Sequence, residues 1–564
     1  SFSLIVEDGF RVQPRATKGE PPNYGRKALV FSDSRQEAAK LAGDIRTDHA
    51  RDLFRQLIYR ALHSCPTCSG TGFVEDLSPF RIGQSRQVSR KPCPDCQGVG
   101  TLTSPSPVGF TQLRRRVIDM QFSRGINPAT PLEDFFAQVA RGSQTVYQDA
   151  EQAFNLALRR ELAEDEFALE PLGLASWKVQ LPESFGAFEG LDEDETKVFI
   201  RAIARILATE NILLPPKPDD PWAWPRNSLK NHERQVIIPG TRRQEGAIPY
   251  NLQPNRKLGR YVIAVSQALV AAGRLSSNGA AKKWLQDLHW PLWNTLKELD
   301  VLQWAGAKIN NQVPFGIRID SFELHPITNV IQQCSACGYV MSETVLNVCL
   351  RCGQQTQPVL SDTLRNYYRR AALYALPDSV FDDPYPLRAF EHTAQIQGAE
   401  ARDLERWFQD LFHDNQNPLD YRVDVLSVTT TMEMGIDIGS LLCVGLRNVP
   451  PSVANYQQRA GRAGRRGSAI ATVLTFAQQR SHDQYYFGHP PEIVTNPPRV
   501  PSLYLQNEVI AQRHIRALVL QSFFFGMTKG KVSTGLFSTW GTIADFANHQ
   551  LANKLRQFLA TNRA

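Results

Sequence analysis

Eight of the nine cysteines in this 564-residue chain fall into four Cys-x-x-Cys pairs, Cys65/Cys68, Cys93/Cys96, Cys334/Cys337 and Cys349/Cys352, and Cys443 stands apart. Two thiolates three positions apart on a tight turn both reach one tetrahedral ion at about 2.3 Å, and a second pair completes a four-cysteine site. The pattern predicts two structural zinc sites with no coordination position open to substrate. In the first set each pair is followed by x-Gly-x-Gly (CPTCSGTG and CPDCQGVG), where glycine supplies the positive φ that folds a backbone round a metal. In the second, CSACG and CLRCG lie 11 residues apart, with Gly338 and Gly353 closing the knuckles of a zinc ribbon. The alternatives are disulfides, which need an oxidising compartment that nothing here supports, and redox dithiols, which do not come in two matched sets.

At roughly 150 residues per domain the length predicts about four domains. Hydrophobic residues at 42% and charged ones at 21% exclude a disordered or fibrous chain. No apolar run approaches the roughly 18 residues of a membrane span; the densest, residues 517–526, is broken by Gln521 and Ser522. With 63 Lys+Arg against 56 Asp+Glu, the net charge of +7 permits an anionic partner without establishing one, so a nucleic-acid reading must rest on local motifs. The opening SFSLIVEDGF has neither an initiator Met nor a signal-peptide pattern. It suggests a fragment, a processed chain or half of something longer, and paired thiols without an export signal suggest the bacterial cytoplasm.

A second signal lies toward the other end. Residues 423–428 (VDVLSV) read as a buried strand, 429–438 (TTTMEMGIDI) as a hydroxyl-rich loop, and 441–446 as another strand. After Pro450 and Pro451, Ser452 can cap a helix carrying residues 455–466 (NYQQRAGRAGRR). At 100° per residue Gln458, Arg462 and Arg465 share one face and make a guanidinium fork. Gly461 and Gly464 each cost a helix about 1 kcal/mol relative to Ala, which asks for close approach of a backbone or a phosphate. Such a fork suits the charge developing on a transferred γ-phosphoryl group, where one arginine can contribute about 10³ to 10⁵ in rate. A solvated basic helix or a plain DNA-binding face stays open on these residues alone.

QRAGRAGR resembles motif VI of superfamily 2 helicases, and TTTMEMGIDIG resembles motif V. Residues 27–45, with Ser34-Arg35-Gln36-Glu37 in capping-box form, resemble motif IV, and residues 391–408 the strand, phosphate-contacting loop and helix between motifs IV and V. The resemblance implies a second RecA-like domain. In it Arg462 and Arg465 would meet the γ-phosphate, Gln458 would couple the nucleotide to the rest of the site, and Gly435 and Asp437 would border the ribose and the metal-phosphate region. Arg35, Thr393, Thr429 and Thr430 would hold the DNA backbone, which carries no base specificity. No Gly-x-x-x-x-Gly-Lys-Ser/Thr loop occurs, and the acidic run at residues 192–195 follows no apolar strand, so it reads as surface rather than as a Walker B motif. The expectation is that ATP and Mg are shared with a first RecA-like domain on a missing N-terminal stretch or another chain, and that this chain alone is inactive.

The fold class expected is α/β: a second RecA-like helicase domain interrupted by a large α+β insertion with winged-helix-like and two four-cysteine zinc modules. Residues 1–20 read as a linker and 21–60 as the first part of the RecA-like domain, its motif IV helix ending near Ile45. Residues 61–105 form a zinc hairpin whose repeats resemble those of the DnaJ zinc domain. A helical insertion at 106–254 has helices at 131–140 and 149–164 and a proline-rich linker at 215–225. Helices at 260–272 and 280–299 followed by two strands make 255–330 winged-helix-like, suited equally to DNA contact and to protein docking. The ribbon at 331–360 leads to a connector at 361–384, where Arg365, Arg369 and Arg370 with Tyr367 and Tyr368 either grip a single strand or form a packed helix. The RecA-like domain resumes at 385–500, and 501–564 is a helical tail.

The insertion, the HTAQI segment and the tail at 501–520 resemble a group of prokaryotic superfamily 2 helicases that includes the mitomycin-repair helicase and the large helicases of phage-defence islands, most closely the DrmA type of the DISARM system. This implies the C-terminal half of an ATP-dependent DNA helicase in anti-phage defence. Repair members carry a four-cysteine domain of unknown function after motif VI, whereas no cysteine follows Cys443 here. The resemblance therefore puts that domain on a separate, DrmB-like partner. A repair helicase, a duplex translocase that does not unwind, and a non-catalytic DNA-binding scaffold are the alternatives; the retained arginines argue against the last.

Overall fold

The computed structural model describes residues 2–14, 25–65, 67–68, 73–76, 89–102, 105–123, 144–164, 166–216, 236–239, 247–306, 308–309, 311–327, 329–374, 385–396, 398–413, 416, 421–432, 441–464, 471–500, 506–527 and 551–562. They belong to two units, residues 1–494 and 495–564.

The first unit contains a five-stranded, all-parallel sheet with an apolar cluster on each face. Its strands are β1 (Ala28–Phe31), β2 (Ala389–His392), β3 (Val425–Val428), β4 (Cys443–Leu446) and β5 (Thr472–Thr475), in the spatial order β2-β3-β1-β4-β5. Short apolar runs such as ALVF suit strands covered on both faces, and successive side chains alternate between the faces. Ala28, Val30, Ala389, Val425 and Cys443 join one apolar cluster, while Leu29, Phe31, Leu426, Val428 and Val444 join the other. Helices α1 (Phe2–Arg11) and α2 (Arg35–His63) cover the first face, and α3 (Gly398–Phe408) covers the second through Leu404 and Phe408. The mixed α/β class with a parallel sheet is as expected.

Two expectations need correction. Residues 2–11, read as linker, form α1, whose Phe2, Val6 and Phe10 recur at i, i+4 and i+8 and are buried. A methyl group at Gly9 would stand 2.7 Å from Leu474 and 3.2 Å from the Cys443 sulfur, so glycine sets how closely α1 lies on the sheet. The motif IV helix does not stop near Ile45 either. It runs 29 residues from its Ser34 cap, which accepts the Glu37 N–H, to His63. Ala38, Leu41, Ala42 and Ile45 face the sheet side, and Leu53, Phe54, Leu57, Ile58, Ala61 and Leu62 enter the larger core of the insertion.

That larger core holds helices Phe110–Ser123, Gln144–Ala163, Glu193–Thr209, Lys257–Ala271 and Asn278–Glu298 with three small sheets. The helix expected at 149–164 is the later part of Gln144–Ala163, which starts five residues earlier and ends one earlier, while the one at 131–140 and most of the proline-rich stretch fall outside the described residues. The acidic run at 192–195 starts Glu193–Thr209, where Asp192 and Glu195 form a reciprocal capping box beside the positive end of the helix dipole. Helices Lys257–Ala271 and Asn278–Glu298 do precede a hairpin, Gln303–Trp304 with Phe315–Arg318. Its second strand also pairs with Leu213–Leu214 and Val236–Pro239, so the hairpin is built into a five-stranded sheet instead of standing free as a wing. In the second unit, helices Glu508–Met527 and Leu551–Thr561 bring the Phe523 and Phe558 rings to 5.5 Å.

Where α1 lies on α2, charged groups are buried together. Glu7 Oε1 is 3.6 Å from His49 Nδ1, His49 Nε2 is 2.9 Å from the Tyr385 carbonyl, and Gln56 donates to Asp52 at 2.7 Å. Burial, reinforced by the nearby Glu7 charge, raises the Asp52 carboxyl from 3.8 to about 6, against the opposing pull of Arg11, His49 and Arg55. Burial lowers His49, but Glu7 and the Tyr385 carbonyl outweigh it, so its affinity for the proton is raised. Both groups hold their protons more tightly in the fold, so both favour the fold below their unfolded pKa values and lose that contribution as pH rises. Asp52→Asn should therefore leave the thermal midpoint near wild type at about pH 4 and raise it at about pH 8. A melting series with a constant difference across that range would contradict this account.

Candidate functional site

All five parallel strands end on one rim, and in open α/β sheets ligands bind outside the carboxyl ends of the strands. Arg35 follows β1 directly after the Ser34 cap and is exposed. Thr393 follows β2, is buried, and accepts the Gln395 N–H at 3.4 Å through its hydroxyl. Thr429, buried, and Thr430, exposed, follow β3. These residues thus leave three adjacent strands in the order β2-β3-β1. From β4, on the other side of β1, the chain enters α4 (Val453–Ala460), which exposes Gln458. Gly435, Asp437 and Arg465 lie outside the described residues.

The arginine fork on one helical face is corrected by α4 itself. Ser452 caps it as expected, accepting the Asn455 N–H at 3.2 Å, but the helix ends at Ala460. Gly461 takes the C-cap, donating to the Gln457 carbonyl at 2.8 Å, and a methyl group there would stand 2.8 Å from that same oxygen. The chain then turns: Arg462 N–H donates to the Arg459 carbonyl at 3.2 Å, Ala463 bridges to Leu441, and Gly464 adopts φ +78° while donating to the Leu441 carbonyl at 2.9 Å. Both glycines therefore serve close backbone approach, and Arg462 stands half-buried on a turn after the helix.

Arg459, one position after Gln458 and so about 100° round the helix from it, is 1% exposed. Its Nη1 lies 3.1 Å from Asp33 Oδ1 and its guanidinium 5.5 Å from the Phe31 ring centroid. Asp33 also accepts the Asn448 side-chain amide. Sequence reasoning missed Asp33 and Asn448, because partners more than 400 positions apart leave no local signal.

The four-cysteine sets come together. In the first, Cys65–Cys93 and Cys68–Cys96 sulfurs are 3.8 and 3.6 Å apart; in the second, Cys334–Cys352 and Cys337–Cys349 are 3.4 and 3.7 Å apart. Within each set all four sulfurs lie within 4.8 Å of one another. A tetrahedral ion with sulfur at about 2.3 Å needs edges of about 3.8 Å, whereas a disulfide needs about 2.05 Å. None of the nine cysteines forms a disulfide. Gly98 and Gly100 in the first set, and Gly338 and Gly353 in the second, take positive φ as their knuckles require. Backbone N–H groups point at sulfur, Gly100 at Cys96 (3.2 Å) and Arg351 at Cys349 (3.4 Å). Burial raises the Cys334 thiol, but the N–H groups of Cys337 and Ala336 overrule it and bring it down to about 7.

The surroundings of the two sets differ. The first forms its own small cluster just past the end of α2, where Cys65 N–H donates to the Gly100 carbonyl at 2.9 Å. In the second, Cys334 and Cys349 belong to the large core, and a methyl group on Gly353 would stand 2.9 Å from the Ala264 Cβ. The segment with Arg365, Arg369 and Arg370 settles as the packed helix Tyr367–Tyr374. Arg369 is buried, donating to the Leu172 and Gly173 carbonyls at 2.9 and 2.6 Å, and Tyr368 packs on Phe167.

Elemental analysis of purified protein should find two zinc ions per chain. Cys349→Ser should lower the melting temperature more than Cys93→Ser, because only the ribbon's cysteines share the large core. Arg459→Ala removes a buried guanidinium whose partner Asp33 stays solvated, and should cost about 1–3 kcal/mol in denaturant titrations, against about 0.5 kcal/mol or less for exposed Gln458→Ala.

Residues 392–467 match the helicase conserved C-terminal domain. Over 546 residues, 93% of its length, the chain is 29% identical to the Druantia protein DruE of Escherichia coli, of which it covers 26%. A 97-residue stretch, 17% of the chain and 8% of the relative, is 34% identical to the ATP-dependent helicase HRQ1 of Saccharomyces cerevisiae. The DUF1998 helicase MrfA, in a crystal structure with DNA and AMPPNP, aligns with 22% of this chain and 16% of its own at 27% identity and a TM-score of 0.20. The chain thus spans about a quarter of the length of DruE. These similarities do not single out the DrmA type; what they show is a helicase conserved C-terminal domain in the second half of the chain and likeness to DruE and to an ATP-dependent helicase.

Proposed function

We propose that this chain is the C-terminal part of an ATP-dependent superfamily 2 DNA helicase or translocase, with the five-stranded sheet as its second RecA-like domain. The observation that carries this reading is the shared rim: three segments resembling helicase motifs IV, V and VI, and a fourth resembling the stretch between IV and V, deliver described residues to the carboxyl ends of adjacent parallel strands, although the first lies more than 350 positions before the others. The rim divides by chemistry. Exits of β2, β3 and β1 offer hydroxyls, backbone N–H groups and Arg35 to the phosphates of a DNA strand, and the exit of β4 offers Gln458 and Arg462 to a nucleotide.

In this reading ATP and Mg lie between this rim and a first RecA-like domain, with Gly435 and Asp437 bordering the ribose and metal-phosphate region. Arg462 and Arg465 meet the γ-phosphoryl group from this side and stabilise its transition state more than its ground state. Thr393, Thr429, Thr430 and Arg35 hold the DNA backbone without reading bases. Zinc in the two four-cysteine sets supplies folding free energy and no chemistry. Similarity to DruE along 93% of the chain supports a place in anti-phage defence. A bacterial cytoplasmic setting and a separate partner with a four-cysteine domain complete the proposal. Among the described residues no helix is long and apolar enough to cross a membrane.

In the complete protein, Arg462→Ala and Arg465→Ala should each lower DNA-stimulated ATP hydrolysis by about 100-fold or more, with DNA affinity largely kept. That affinity should fall with salt to the same extent on unrelated sequences. Full turnover in both variants would overturn the assignment.

A further inference from the structure

We infer that Asp33 is a positioning residue that links DNA at the β1 exit to the placement of Arg462. This rests on the helicase reading and adds a residue which that reading does not use. Asp33 lies two positions before Arg35, between the end of β1 and the Ser34 cap of α2. Its two oxygens serve two different elements. Oδ1 takes Arg459 of α4 at 3.1 Å, and Oδ2 takes the amide of Asn448 at the exit of β4. Asn448 donates as well to the Val449 carbonyl at 3.2 Å, and Val449 N–H donates to buried Asp483 at 3.2 Å. Asp483 Oδ2 also takes the Gln478 N–H beyond β5 at 2.9 Å. One carboxylate thereby ties the β1 exit loop to α4 and, through Asn448, to the exits of β4 and β5.

The Asp33 side chain is 38% exposed while Arg459 is 1% exposed. One end of the pair is open to the rim and the other is locked in the core against the Phe31 ring. Arg459 is followed within three residues by the turn carrying Arg462, whose N–H is held by the Arg459 carbonyl. A phosphate drawn to Arg35 repels the Asp33 carboxylate two residues away, and the lowest-cost response of that carboxylate is to press toward Arg459 and Asn448. Such a response changes how α4 is held and with it where Arg462 stands. By linkage, a nucleotide that fixes Arg462 must change DNA affinity by the same factor.

The test uses the complete protein with Asp33→Asn, which removes the charge and keeps the shape, Asp33→Glu, which keeps the charge, and Asn448→Ala, which leaves Arg459 paired. ATP hydrolysis is measured with and without DNA, DNA affinity with and without a non-hydrolysable ATP analogue, and melting temperature throughout. Asp33→Asn should lower DNA-stimulated kcat by about tenfold or more, shift KM for ATP by less than about threefold, and abolish the analogue's effect on DNA affinity. Asp33→Glu should recover part of the stimulation, and Asn448→Ala should lose part of it with a smaller fall in melting temperature than Arg459→Ala, which removes the buried guanidinium itself. Wild-type stimulation in Asp33→Asn, or basal and stimulated rates falling together in step with melting temperature, would overturn the inference. A wild-type protein whose hydrolysis ignores DNA would overturn the helicase reading with it; an inactive Arg462→Ala beside a normally stimulated Asp33→Asn would overturn this inference alone.

Discussion

Helix α2 belongs to two hydrophobic cores at once, and the architecture of the first unit depends on that. At about 1.5 Å per residue its 29 residues span about 43 Å, with the first turns on the parallel sheet and the last ones inside the insertion. An unbroken helix transmits rotation and translation stiffly, so the insertion is joined to the loop after β1 by a rod. The buried polar group of Glu7, His49 and Asp52 sits where α1 crosses that rod, between the two cores. Ionic groups at such a crossing contribute little net stability, since desolvation offsets their attraction, but they fix register where apolar contact alone would allow sliding.

The two cysteine sets make different use of the same chemistry. The ribbon is part of the large core through Cys334, Cys349 and Gly353 against Ala264, so a metal there would brace a surface already held by apolar burial. Among the described residues the hairpin has only its own four cysteines and Leu102 for a core. A module that small cannot stand on burial alone, and metal binding is the source of free energy open to it.

On the rim, the glycines of the arginine segment show how local and distant constraints meet. Gly461 ends α4 and Gly464 lets the chain pass beside Leu441 at positive φ. The pair converts a helical row of arginines into a helix with one buried arginine, Arg459, and a turn with another, Arg462. Equal-looking residues three positions apart thereby take opposite roles, one inside as an ion-pair partner of Asp33 and one at the surface of the rim.

Several features were legible in the sequence because their causes are local. Paired cysteines, the Ser34 and Ser452 caps, and the apolar runs of β1, β3 and β4 each depend on neighbours within a few positions; the cysteine sets and caps formed, Ser34 with only the Glu37 N–H half of the expected capping box, and β3 and β4 start two residues later than read. The length of α2, the burial of Arg369 and Arg459, and the conversion of the opening residues into α1 were not legible. Arg369 answers to carbonyls nearly 200 positions away, Arg459 to Asp33 at 426, and α1 to β4 and β5 at the far end of the chain. The sequence by itself determined where the four-cysteine sets, the apolar runs of β1, β3 and β4 and the Ser34 and Ser452 helix starts lie, since steric and capping preferences act over a few residues. Only the tertiary structure decided which arginine is buried, where the arginine helix stops, and that Arg35, Thr393, Thr429 and Arg462 follow strands ending on one rim, because those outcomes depend on desolvation and packing between segments that meet only after folding.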